Sequence, residues 1–180
     1  VNKVKGLLKS VKDEKVILTL NGHKSAIHFD FGDFQFISKL IDGKFPDYNR
    51  VMPKTSLISF DVDREDMKGL LQRLSAFISV DNKISSAVFS LKGNELTVSS
   101  FNKQSADQSE EMIVVDVKES EENDTDIDFG LNLSYALDVM THAQSEKVTF
   151  NLTDNRAAIL IEPELKDNSK SKYVIMPMRI

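Results

Sequence analysis

At 180 residues, with 41% hydrophobic and 28% charged content, the chain is long enough for one to two domains that each bury a core. A formal net charge of −5 argues against a protein that coats nucleic acid through bulk positive charge. The sequence has no cysteine, which removes disulfides and thiolate chemistry and fits a reducing cytosol; no apolar run approaches the ~18 residues of a membrane span, and Val1 in place of an initiator Met reads as an internal start.

The chain opens with Val4, Leu7, Leu8 and Val11 at helical spacing, with Lys3, Lys5, Lys9 and Lys12 between them. Three strands are expected next: Val16–Leu20, then Ala26–Phe29 after an Asn21-Gly22 hairpin turn, then Phe34 to Leu40. A joint follows at Asp42-Gly43-Lys44-Phe45-Pro46-Asp47-Tyr48-Asn49-Arg50-Val51-Met52-Pro53. Asp-Gly is a turn signal, and each proline pushes the residue before it into extended backbone. A flexible linker would be richer in Gly and Ser. The joint therefore reads either as a rigid hinge packed between domains or as one wall of a binding site at a domain junction.

Beyond the joint, Leu57–Val62 reads as a strand, and Asp63 as the cap of a helix with Met67, Leu70, Leu71, Leu74, Phe77 and Ile78 in one stripe. Strands are expected at Ser86–Leu91, Glu95–Ser99 and Met112–Val117, with Gly93-Asn94 turning the first hairpin. The order then repeats. A strand at Ile127–Leu131 leads to Asn132 as the cap of a helix whose Leu133, Ala136, Leu137 and Met140 share a face, followed by strands at Val148–Leu152, Ala157–Ile161 and Tyr173–Met178. The chain thus holds a helix–βββ piece and then β-α-βββ twice, the mark of internal duplication. Hairpins with segregated helices predict an α+β fold, with residues 1–52 a partial domain and 53–180 a complete one.

Catalytic and metal-binding patterns are absent from the sequence. His23, His28 and His142 fall in different elements with no ligand spacing, and neither a nucleophile elbow nor a phosphate-cradling glycine cluster occurs. In the acidic run from Asp107 to Asp128, offset only by Lys118, Glu119 to Asp126 reads as a solvated loop, and the run as a rim for a basic partner surface rather than an acid–base site. The last stretch, Tyr173 to Ile180, is an apolar strand interrupted by Pro177 between two methionines. Proline confines it to an edge, a bulge or a strand end. It is either a last core strand or an apolar edge that receives a partner peptide, since methionine adapts to varied ligands.

Ser38 to Pro53 and Tyr173 to Arg179, together with Phe129-Gly130-Leu131-Asn132-Leu133-Ser134-Tyr135-Ala136-Leu137-Asp138-Val139, closely resemble the bacterial DNA polymerase beta subunit, the sliding clamp. The resemblance covers the whole chain and corresponds to the second half of the clamp's middle domain and all of its carboxyl-terminal domain. It implies a non-catalytic, cytoplasmic processivity factor without cofactor or metal, part of a head-to-tail homodimeric ring that holds a replicative polymerase on duplex DNA. By the same resemblance, Lys9, Lys44 and Arg73 would face DNA, and Phe77, Ile78, Asp107, Glu110 and Glu111 would lie at the ring interface. A groove for short motifs of polymerases, clamp loader and repair proteins, typically a Gln plus large apolar residues, would use Pro46, Arg50, Val51, Asn132, Tyr135, Val174, Ile175, Met176, Pro177, Met178 and Arg179. Arg156 stands where the family usually places a small or apolar residue. A stand-alone α+β peptide-binding module would show the same repeat without a ring.

Overall fold

The computed structural model describes residues 6, 7, 9, 15–23, 25–45, 47–76, 86–101, 108–120, 126–164 and 171–180. Pro46, Phe77, Ile78, Asp107 and most of the first expected helix lie outside the described residues. The chain forms two compact units, Val1–Pro46 and Asp47–Ile180. A short 3₁₀ turn at Tyr48–Arg50, capped by the Asp47 carboxylate, opens the second unit.

In the first unit β1 (Ile17–Leu20), β2 (Ala26–Asp30) and β3 (Gln35–Lys39) form an antiparallel three-stranded sheet in that order. The expected Asn21-Gly22 hairpin is a wider turn, because the Asn21 side-chain oxygen accepts from the amides of Ser25 (2.7 Å) and Ala26 (3.0 Å) and closes the loop itself. Phe31 is buried and stacks on Phe34 at 4.7 Å between ring centroids. Ile17, Leu18, Leu20 and Ile37 remain exposed.

The second unit runs β4 (Ile58–Asp63), α1 (Arg64–Ala76), β5 (Ser86–Lys92), β6 (Glu95–Phe101), β7 (Gln108–Val114), β8 (Asp116–Ser120), β9 (Ile127–Asn132), α2 (Leu133–His142), β10 (Lys147–Leu152), β11 (Ile159–Pro163) and β12 (Tyr173–Ile175). The strands divide into a 5-stranded sheet, β12-β11-β10-β4-β8, and a 4-stranded sheet, β7-β6-β5-β9. The leading strand of each repeat has therefore crossed to the other repeat's sheet. β4 pairs with β10, and β9 pairs with β5. In each exchange a phenylalanine stacks on a phenylalanine of the receiving strand, Phe60 on Phe150 and Phe89 on Phe129, both at 5.2 Å. All four rings are fully buried, so the exchange is fixed at the centre of the core, where dispersion and burial are largest.

The helices form as their sequence dictates. Asp63 accepts from the amides of Glu65 and Asp66, at 2.9 and 3.0 Å, and Asn132 from those of Ser134 and Tyr135, at 2.9 and 3.3 Å; each satisfies amides that a helix start leaves free. α1 buries Met67, Leu70, Leu71 and Leu74, and α2 buries Leu133, Ala136, Val139 and Met140. The two stripes pack on each other and on the sheets.

Arg64 ties the start of α1 to the end of α2. Its Nε donates to the Ser145 carbonyl at 2.6 Å and its Nη1 to the Met140 carbonyl at 3.2 Å, one of the carbonyls that a helix end leaves free. Replacing Arg64 with Ala is expected to cost about 1–3 kcal/mol by leaving these acceptors unpaired in a half-buried place. Thermal melting followed by circular dichroism checks this: Arg64→Ala should melt several degrees lower, and Arg64→Lys should recover only part of the loss because an ammonium cannot fork to both carbonyls.

Two expected strands end early. The Met112–Val117 run is not one strand: it breaks at buried Val115 and becomes the end of β7 and the start of β8, in different sheets. Val115 donates its amide to the Asn94 carbonyl at 2.9 Å, which anchors the crossing. β8 then brings Lys118 to Asp61 at 2.7 Å. The Thr149 hydroxyl reaches the same buried carboxylate from β10 at 2.6 Å, and the bond to Asp61 holds the Lys118 ammonium above its usual range. The terminal strand also stops short. β12 ends at Ile175, ahead of Pro177, and the chain resumes pairing only at Met178, through an isolated bridge to Gly130. Proline has no amide to continue a ladder.

Candidate functional site

The residues from Met176 to Ile180 strap one sheet to the other. β12 pairs with β11 in the 5-stranded sheet. After Pro177 the Met178 amide donates to the Gly130 carbonyl at 2.8 Å, on β9 of the 4-stranded sheet. β9 can accept this strap because Gly130 has no side chain: an added Cβ would stand 2.7 Å from the Met178 carbonyl oxygen. A glycine inside a strand signals this kind of close backbone approach.

The strap forms most of the wall of an open cavity of about 630 Å³, lined by Asn155, Arg156, Met176, Pro177, Met178, Arg179 and Ile180. That volume lies in the range of ligand pockets. The other wall is the turn between β10 and β11. The Asp154 carboxylate accepts there from the Arg156 amide at 2.7 Å and the Ala157 amide at 2.6 Å. These two bonds hold the Asp154 carboxyl below the usual carboxylate range, because they favour the charged form. They also explain why the strand expected from Ala157 begins at Ile159: the turn uses the amides of Arg156 and Ala157. With its folded pKa below its unfolded value, Asp154 stabilises the turn above the unfolded pKa, and the contribution is lost as pH falls through the folded one. An NMR titration should find the Asp154 carboxyl carbon changing at lower pH than an ordinary aspartate. A midpoint at or above the ordinary value would refute the turn's role.

The sequence-derived groove residues fall in three places. Met176, Pro177, Met178 and Arg179 line the cavity, and Met176 is 61% exposed. Val174 is half-buried and Ile175 is 6% exposed, a core residue paired with Ile159. Asn132 and Tyr135 start α2; Asn132 is occupied as its cap, while Tyr135 is 61% exposed. Arg50 and Val51 lie on the 3₁₀ turn at the start of the unit, both exposed, with Arg50 3.5 Å from Asp47. Arg50, Val51, Asn132 and Tyr135 do not line this cavity. Asn155 and Arg156, which do, have a polar and charged surface character that gives no sequence signal of a cavity wall; only the resemblance drew attention to Arg156.

Of the residues expected to face DNA, Lys9 and Lys44 are exposed, and Arg73 is engaged. Its guanidinium, 61% exposed, forks onto the Glu111 carboxylate with Nε at 2.9 and 3.0 Å from the two oxygens. This hydrogen bond raises the Arg73 pKa above its ordinary value. A residue expected to face DNA and one expected at the ring interface are thus partners across α1 and β7. β7 is the open edge of its sheet and exposes Glu110, Met112 and Val114. Among the described residues no cluster of His, Asp and Glu could hold a metal ion, and no helix is long and apolar enough to cross a membrane.

The family model for the C-terminal domain of the DNA polymerase III beta subunit matches residues 49–179. The chain is similar to the beta sliding clamp of Pseudomonas aeruginosa, at 34% identity over 94% of this chain and 43% of that protein. It is also similar to that of Haemophilus influenzae, at 33% identity over 98% of this chain and 46% of that protein. The chain therefore spans less than half the length of these relatives. Among solved structures, the Caulobacter crescentus polymerase III beta subunit superposes with a TM-score of 0.81 at 27% identity, over 99% of this chain and 45% of that one. A Bartonella birtlesii sliding clamp bound to griselimycin gives a TM-score of 0.81 at 26% identity, over 99% of this chain and 45% of that one.

Proposed function

Because the chain belongs to the DNA polymerase III beta-subunit family, through that family's C-terminal domain, we propose that it is the carboxyl-terminal half of a bacterial sliding clamp. A closed ring would hold the replicative polymerase on duplex DNA without reading sequence and without chemistry of its own. Such a ring needs only modest positive charge toward the phosphates, so a net charge of −5 is compatible with it. Residues 1–52 would be the second half of the middle domain and 53–180 the last domain, working in the cytoplasm. The observation that carries the reading is the duplicated β-α-βββ unit with its leading strands exchanged, over the residues that the family model matches.

In this role the Met176–Ile180 strap is a wall of the groove for linear motifs of polymerase, clamp loader and repair proteins. Arg50, Val51, Asn132 and Tyr135, from the 3₁₀ turn and the start of α2, would extend that groove. Lys9 and Lys44 meet DNA, and Arg73 does so by sharing or releasing Glu111. Phe77, Ile78, Asp107, Glu110 and Glu111 form one half of a head-to-tail contact. Its other half belongs to the part of the relatives that this chain does not span, so this chain alone is expected to be mainly monomeric. Sedimentation of a stable ring-sized dimer would sink that expectation. The ring itself is tested on the full-length protein, which should stay on circular duplex DNA and slide off once the circle is cut. Equal loss from both forms would overturn the clamp reading.

A further inference from the structure

The turn between β1 and β2 holds the chain's single Asn-Gly pair. Asparagine before glycine is a reactive sequence. The glycine nitrogen can attack the asparagine side-chain carbonyl and close a cyclic imide, with no side chain on glycine to hinder it. In this turn each reacting group is already placed for that attack. The Asn21 Oδ1 accepts from the Ser25 amide at 2.7 Å and the Ala26 amide at 3.0 Å, so two backbone donors face the oxygen on which negative charge would develop. That is the arrangement of an oxyanion hole. The Asn21 Nδ2, the group that would leave, donates to the Ser25 hydroxyl oxygen at 2.8 Å. The Gly22 amide, the nucleophile, has no hydrogen-bond partner among the described residues, and Gly22 is exposed. The Asn21 amide is held by the Ala26 carbonyl at 3.1 Å, which fixes the residue that closes the ring.

We propose that Asn21 is a self-modifying site, at which the folded turn promotes conversion to aspartate and isoaspartate. The Gly22 nitrogen gives its proton to water and bonds to the Asn21 Cγ. Charge passes to Oδ1 and is stabilised by the two amides. The Cγ–Nδ2 bond then breaks. The Ser25 hydroxyl passes a proton to the departing nitrogen and regains one from water, and ammonia leaves. Water opens the imide at either carbonyl, so the net change is one water taken up and one ammonia released. Opening to aspartate leaves a carboxylate that accepts from the same two amides in stronger, charge-assisted bonds. Opening to isoaspartate runs the main chain through the former side chain and disturbs the pairing of Leu20 with Ile27. Asn132 is the internal comparison. Its side chain also accepts from two amides, those of Ser134 and Tyr135, but the next residue is buried Leu133, whose side chain crowds the attacking nitrogen.

The chain is incubated at mildly alkaline pH and digested with trypsin. The peptide of residues 16–24 is followed by mass spectrometry, with an isoaspartyl methyltransferase marking isoaspartate. The folded chain should convert Asn21 at least about tenfold faster than the same chain in guanidinium, part of the ~10²–10³ that one oxyanion donor supplies in an enzyme. The rate should rise with pH, because the attacking nitrogen must lose its proton, and isoaspartate should accompany aspartate. Gly22 has no positive φ, and an added Cβ there would meet nothing within 4 Å. Gly22→Ala therefore keeps the fold and should nearly stop the reaction. Ser25→Ala keeps both amides and loses the proton donor, so it should slow the folded chain and leave the denatured one unchanged. A folded chain that reacts more slowly than the denatured one would overturn the inference, making the turn a guard of Asn21. So would conversion to aspartate alone, which marks direct hydrolysis, or loss of Asn132 at the same rate as Asn21.

Discussion

Deleting Met176 to Ile180 is expected to weaken binding of a polymerase-derived clamp-binding peptide by about thirtyfold or more, the ~2 kcal/mol of an interface hot spot. Those five residues supply all of the cavity lining except Asn155 and Arg156. A peptide that buries two large apolar side chains against them gains ~3–6 kcal/mol before ordering costs, and the deletion leaves those side chains in water. The fold should survive, because β12 ends at Ile175 and that residue, with its pairing to Ile159, is kept. Circular dichroism establishes that the truncated chain is folded, and calorimetric titration then reads the affinity. Tyr135→Ala should act in the same direction but less, since Tyr135 is exposed and stands outside the cavity. Unchanged affinity in the truncated protein would make the terminal segment a structural strap only, and the site would have to lie elsewhere.

The features that were legible in the sequence are those whose physics is local. Asp63 and Asn132 were recognisable as caps because a short side-chain oxygen before an apolar stripe has one economical use, and both make the expected amide contacts. Gly93-Asn94 was recognisable as a hairpin turn, and Gly93 takes the positive φ that such a turn needs. The duplication was visible as a repeated order of elements. The exchange of β4 and β9 between repeats was not, because stacking Phe60 on Phe150 joins residues far apart in sequence that periodicity cannot link. The break at Val115 was hidden for a related reason. Met112 to Val117 is a continuous run with no Gly or Pro, and its crossing between sheets is imposed by a long-range partner, the Asn94 carbonyl. In the site, the strap was singled out by Pro177 and its flanking methionines, whereas the opposite wall at Asn155 and Arg156 depends on the Asp154 turn and on where β11 begins. Arg73 shows the limit most clearly. Its sequence position is a solvated helix face, and only the fold brings Glu111 to it.

Gly130→Ala is expected to detach the strap while leaving every residue of the cavity wall in the sequence. Gly130 does not have a positive φ, so the substitution introduces no backbone strain of its own. The obstacle is space. An alanine Cβ would lie 2.7 Å from the Ile180 Cγ2 and 2.7 Å from the Met178 carbonyl oxygen. The isoleucine methyl can swing aside, but the carbonyl can retreat only if the strap moves with it. That motion lengthens or breaks the Met178 amide bond to Gly130, now 2.8 Å, and carries Met176, Met178 and Arg179 away from Arg156. Overpacking of this kind costs about 1–3 kcal/mol in stability, and peptide affinity should fall toward that of the truncated chain. The readout that separates a displaced strap from a general loss of stability is hydrogen exchange: the Met178 amide should lose protection, while amides of β10, at the centre of the 5-stranded sheet, keep theirs. Removing the Ile180 side chain alongside, as Gly130→Ala with Ile180→Ala, should recover little, because the backbone clash remains. A Gly130→Ala protein that binds peptide normally with Met178 still protected would show that the β9 edge tolerates a side chain, and the strap would then owe its position to β12 alone.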